Sequence, residues 1–221
     1  MAESIAKSAP ECKARTQVSA GIFQIFGFSI LCIAACQTVH KTEAQRTLVL
    51  PVRSQWQSTS FVAHTDWLGE SLDFKPINSL RQQLEAQLGH SLQNRGEAHI
   101  TLITPPEYNV LKDKLSIDAI NAIADRLEIQ RTVWNPICLG QVSNPKNPQQ
   151  VAYFVVVESE GFYSIRQEIY RAFTEKGGNP LAFQPRHFNP HITVGFTEKD
   201  LYEQDGISKD SHSCSYSLVT H

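Results

Sequence analysis

Apolar side chains along this chain follow two rhythms, and the change between them marks out its elements. Leu80, Leu84 and Leu88 recur at every fourth residue, which predicts a helix that Pro76 opens, Asn78 or Ser79 caps and Gly89 ends. Ile117, Ile120, Ala124 and Leu127 form a second helical stripe over residues 116–127. A third helix is predicted over 163–176, stopped by Gly177-Gly178. The other rhythm is strict alternation. Ala98-His99-Ile100-Thr101-Leu102-Ile103 reads as a strand that Pro105-Pro106 halts, and Pro190-His191-Ile192-Thr193-Val194-Gly195-Phe196 reads as another. Residues 134–142 and 151–157 predict a hairpin, with Ser143-Asn144-Pro145-Lys146-Asn147-Pro148 as its long turn. Shorter strands are expected at 60–63 and 215–219.

The first residues follow neither rhythm. Lys7, Lys13 and Arg15 precede an apolar run from Ala20 to Ala35. That run is short of the roughly 20 residues a spanning helix needs, and suits the apolar part of a secretion signal. It closes on Ile33-Ala34-Ala35-Cys36, which resembles a bacterial lipobox with Cys36 as the lipidation site. An uncleaved anchor or a simple amphiphilic leader are the other readings. The chain then divides into a signal peptide of lipoprotein type (1–35), a tether (36–57) and one folded domain (58–221). The expected location is a membrane surface outside the cytoplasm. Gln37 after Cys36 resembles the sorting pattern for a periplasm-facing outer-membrane lipoprotein.

Composition narrows this further. A hydrophobic share of 41% in 221 residues can supply one sizeable core. A net charge of -2 leaves no broad basic surface for gripping nucleic acid. Of the five Cys, only Cys138 and Cys214 fall inside the domain, where an oxidising compartment would let them pair if their separation allows. No Cys-x-x-Cys pattern points to a metal or redox site. His187 and His191 have a zinc-like spacing only in a helix, and Pro190 argues against one there.

The chemistry lies in the two alternating strands. Residues i and i+2 share a face, so His99 stands with Thr101 and His191 with Thr193, while the apolar residues between them face a core. One neutral imidazole can take a proton from water and a second, protonated one can give a proton to a leaving oxygen. Two hydroxyls can donate to the non-bridging oxygens of a phosphate. The bare triplet is not the signal, because His40-Lys41-Thr42 has it too, in a polar stretch without a strand pattern. The signal is a matched His-Ile-Thr core on two alternating strands. Which imidazole is acid and which is base is not legible.

Glu97-Ala98-His99-Ile100-Thr101-Leu102-Ile103-Thr104-Pro105-Pro106-Glu107 and Asn189-Pro190-His191-Ile192-Thr193-Val194-Gly195-Phe196-Thr197-Glu198-Lys199-Asp200-Leu201 resemble the two signature segments of the 2H phosphoesterase superfamily. The likeness is to the bacterial branch called Swiss Army Knife RNA repair-like proteins. It implies a bilobal α+β fold, with two antiparallel sheets facing a central cleft and helices outside. It also implies His99 and His191 as catalytic residues and Thr101 and Thr193 as phosphate-holding residues; the paired acid–base chemistry itself needs no cofactor or metal. The substrate class it implies is a 2′,3′-cyclic nucleotide, a related small phosphodiester or an RNA end. A monomer is expected, with the membrane as a partner through the lipid anchor. The alternative is a membrane-tethered lipoprotein that binds a phosphorylated ligand without turnover, and a third reading is a structural envelope protein. Arg186 is a candidate for steering an anion, and Tyr153 or Phe154 for stacking a base, though a solvated loop and core packing are the simpler readings of each.

Overall fold

Every α-helix among the described residues starts where a short polar side chain takes a backbone N–H that the helix itself leaves unpaired. A computed structural model describes residues 47–52, 56 and 60–220; Cys36, the segment before it and most of the tether lie outside them. Asp73 accepts from the amide of Lys75 to start α1 (Phe74–Leu88), which ends on Gly89 in the left-handed region at φ 76°. Thr104 and Glu107 form a reciprocal capping box on α2 (Pro105–Leu111). Ser116 starts α3 (Ile117–Arg126), and Ser159 starts α4 (Glu160–Glu175). Among the described residues, no helix is long and apolar enough to cross a membrane.

Seven strands complete the α+β fold. β2 (Leu68–Leu72) and β3 (Ala98–Ile103) form a two-stranded antiparallel sheet. The larger sheet has the order β1 (Thr47–Leu50), β7 (Cys214–Thr220), β4 (Asn135–Asn144), β5 (Asn147–Glu158), β6 (His191–Phe196). Its pairings are antiparallel except that β1 runs parallel to β7, which corrects the expectation of two purely antiparallel sheets. β1 falls in the stretch that reads as tether, yet Leu48 and Leu50 are fully buried. Its other edge is closed by a side chain: the amide of Gln83 on α1 donates to the Val49 carbonyl and accepts from its N–H, each at 3.0 Å.

Three local expectations change. Residues 60–63 form no strand, and β2 takes that place five residues later, where Leu68-Gly69-Glu70 is buried against β3. The long hairpin turn is a tight one at Pro145-Lys146, because the Asn144 side chain accepts from the Lys146 amide and lets both strands run on. Pro105-Pro106 ends β3 as predicted but also opens α2, proline being tolerated in a first turn.

The main core gathers Leu80 and Leu84 of α1, Ile100 and Leu102 of β3, Val155 and Val157 of β5, and Ile165 and Ile169 of α4. Ile192 and Val194 of β6 join the same cluster, so both sheets bury one face in a shared interior. At its edge lies Arg166 of α4, fully buried. Its guanidinium sits between the rings of Phe183 and Phe188, at 4.7 and 4.6 Å. It pairs with Glu107 at 2.8 Å and donates to the carbonyls of Leu102, Pro185, Gln184 and His187. One cation thereby joins the end of β3, the cap of α2 and the loop that leads into β6. Cys138 on β4 and Cys214 at the start of β7 form a disulfide, with Cα atoms 5.7 Å apart.

Candidate active site

The alternation in β3 and β6 places the two His-Ile-Thr segments as the sequence predicts. Ala98, Ile100 and Leu102 are buried while His99 and Thr101 are half-buried; Ile192 and Val194 are buried while His191 and Thr193 are half-buried. The segment just before β3 brings the two strands together. Gln93 exchanges two backbone hydrogen bonds with Phe196, at 2.8 and 3.0 Å, and the Asn94 amide donates to the Val194 carbonyl at 2.7 Å. A Cβ on Gly195 would meet Leu92 and the Gln93 carbonyl at 3.0 and 3.1 Å, so the small residue permits this approach. The chain then turns at Gly96, at φ 76°, into β3. β3 and β6 run beside each other with Cα atoms within 8 Å, on different sheets.

His191 lies opposite Val156, and Thr193 opposite Phe154, on one face of the larger sheet. The Phe154 ring is fully buried and meets the His191 ring edge-on at 5.7 Å. Tyr153 points the other way into the main core, so both aromatics pack and neither offers a stacking face. His191 Nδ1 lies 2.8 Å from the Asn189 carbonyl. A carbonyl only accepts, so Nδ1 carries the proton and Nε2 keeps its lone pair. Loss of solvation and the positive charge of Lys209 push the His191 pKa down to about 3, and His99 adds to the push.

His99 is also held below the usual histidine range by burial, but Glu97 opposes the shift. The Glu97 carboxylate lies 3.7 Å from His99 Nδ1. Behind the imidazole stands Trp67, 4.8 Å away and tilted by 48°. The other ring stacked on Trp67 is His64, at 3.6 Å and 19°. Trp67 can lie across β2 because Gly69 has no side chain; a Cβ there would come within 2.5 Å of the indole.

Around Thr193 the structure shows charges that sequence reasoning missed. Its hydroxyl donates to Asp200 Oδ2 at 3.3 Å, so in the ligand-free chain this proton is directed at a carboxylate. Asp200 Oδ1 pairs with the Lys209 ammonium at 2.8 Å, and both side chains are buried. Arg95 approaches the same carboxylate at 3.9 Å and bonds the Tyr202 hydroxyl. Burial lowers the Lys209 pKa and Asp200 opposes that shift. Lys209 sits in a polar run, Ser208-Lys209-Asp210-Ser211, which carries no pattern to single it out. His64 and Trp67 belong to His64-Thr65-Asp66-Trp67, a polar and aromatic stretch with no alternation to fix their direction.

The remaining candidates fall elsewhere. Arg186 is exposed and lies over the Tyr163 ring, with Glu160 at 3.9 Å. His187 is exposed and is held through its backbone: its N–H donates to the Gln184 carbonyl and its carbonyl accepts from Arg166. Among the described residues, no group of three or more His, Cys, Asp or Glu is placed to hold a metal.

A protein-family model described as Swiss Army Knife, 2H phosphoesterase domain, matches residues 66–202, more than half of the chain. No curated protein and no solved structure matches it.

Proposed function

This chain belongs to the Swiss Army Knife 2H phosphoesterases, and from that membership we propose that it hydrolyses a cyclic phosphodiester, a 2′,3′-cyclic nucleotide or a similar RNA-end group, without a metal. The observation that supports the reading is the close approach of β3 and β6, the strands that carry His99 with Thr101 and His191 with Thr193.

The tautomer suggests the roles. His191 Nε2, with a free lone pair and a pKa near 3, takes a proton from water. The water oxygen attacks phosphorus as the bond from phosphorus to one ring oxygen breaks. That oxygen takes a proton from His99, whose charged form Glu97 favours. An anionic phosphate between the rings favours protonation further. The product is the opened phosphomonoester, and the proton left on His191 returns to His99 through solvent, which resets both imidazoles with no net release. Thr101 and Thr193 donate to the non-bridging oxygens as charge develops, Thr193 by turning from Asp200.

We further propose that the chain works at a membrane surface outside the cytoplasm, tethered through Cys36. The apolar run before Cys36 supports this, as does the Cys138–Cys214 disulfide, since such bonds persist in oxidising compartments.

Incubation of the full chain with 2′,3′-cyclic nucleotides, followed by chromatography of the products, tests the activity. Ring-opened monophosphate is expected, and His191→Ala is expected to lower the rate at least 100-fold or so. Tight nucleotide binding with no product after long incubation would favour a binding lipoprotein instead.

A further inference from the structure

Lys209 lies beyond the segment that matches the family model, on the stretch between β6 and β7. It is nevertheless 5% exposed and lodged beside β6. An ammonium carries three N–H donors, and a buried one needs acceptors for them. Among the described residues its hydrogen-bond partner is Asp200 Oδ1, which uses one. Its other close neighbours are the faces of Phe154 and Tyr202, at 5.6 and 5.7 Å. Ring faces attract a cation but do not replace hydrogen-bond acceptors.

The charge balance points the same way. Two cations, Lys209 at 2.8 Å and Arg95 at 3.9 Å, share the single Asp200 carboxylate. The cluster therefore holds one positive charge in excess, next to a hydroxyl on the same carboxylate and an imidazole whose charge Lys209 influences. A carboxylate beside a phosphate seat would repel the ligand, and Lys209 cancels that repulsion while keeping two donors to offer.

We propose that Lys209 is a phosphate-binding residue of this site, donating to a non-bridging oxygen held between Thr193 and His191. The proposal rests on the phosphoesterase reading for the identity of the ligand. The same ammonium would bind phosphate in a protein without turnover, so the two ideas fail separately.

The test uses the full chain and inorganic phosphate, with binding measured by calorimetry. Lys209→Met is expected to weaken phosphate binding about 10- to 100-fold, the range for a charge-assisted hydrogen bond. Because this change strands Asp200, the double variant Asp200→Asn with Lys209→Met is measured beside it, after a thermal melt shows that it folds. It should bind phosphate as weakly as the single variant. Lys209→Arg should retain most of the affinity. With a cyclic nucleotide, KM should rise more than kcat falls. Wild-type affinity in the double variant would mean that Lys209 only neutralises Asp200, and overturns the proposal. Absence of phosphate binding by the wild type overturns it too. Binding that depends on Lys209 but yields no product upholds this inference and removes the catalytic one.

Discussion

At the scale of single residues, environment makes two chemically identical imidazoles different. His191 is stripped of solvent and sits beside Lys209, so its neutral form is strongly favoured even though its Nδ1 hydrogen bond to the Asn189 carbonyl pulls the other way. Burial lowers the pKa of His99 too, with Arg95 and His64 adding to the shift, but Glu97 and Asp200 oppose it. For kcat/KM, which reports the free protein, the base limb requires neutral His191 and the acid limb requires protonated His99. Activity should therefore rise through about pH 3 and fall below the ordinary histidine value of 6.5. The expected optimum lies on the acid side of 6.5. Glu97→Gln removes the charge that supports protonated His99, so the falling limb should move to lower pH; a pH–rate profile of both proteins checks this. The four residues of the two His-Ile-Thr segments were legible because period-2 alternation fixes side-chain direction without knowing the partner strand. Trp67, His64, Asp200 and Lys209 were not, since their directions depend on a bulge at Leu68/Gly69 and on a loop packed over the sheet.

At the scale of elements, the helices were legible where an apolar stripe met a cap. The Gly89 stop and the Leu80–Leu84 stripe appear where predicted, but the cap of α1 is Asp73 and not Asn78 or Ser79, because the helix starts before Pro76 and takes both residues into its interior. Short elements were less legible. β2 reads as polar because Glu70 is buried in it, and α2 begins with two prolines that also end a strand. In sequence Arg166 is one of several charges on α4, yet it joins β3, α2 and the approach to β6. Arg166→Met removes the partner of Glu107 and leaves several buried carbonyls without a donor. A loss of about 3–5 kcal/mol is expected, readable by urea denaturation. A loss under about 1 kcal/mol would show that the clamp adds little to the fold.

At the scale of the whole molecule, strand pairing was the least legible feature, because it is decided by contacts far apart in sequence. No local pattern announces that β1 runs parallel to β7, or that Gln93 pairs with Phe196. The pairing of Cys138 with Cys214 was an open possibility that the 5.7 Å Cα separation now supports. These cysteines are 76 residues apart, and the bridge closes over β5, α4 and β6. Replacing both with Ser should cost roughly 4 kcal/mol by the loop-entropy estimate, seen as a lower Tm in a thermal melt. Cys214 also anchors the far end of the segment that carries Lys209, so phosphate affinity should fall with it.

The most direct measurement is a crystal structure of the full chain with a nucleoside 2′-monophosphate bound. The account expects Nε2 of His99 and Nε2 of His191 each about 3 Å from oxygens on one phosphorus, with both Thr hydroxyls on the same group. A phosphate seated elsewhere, or one that only a single imidazole reaches, would contradict it.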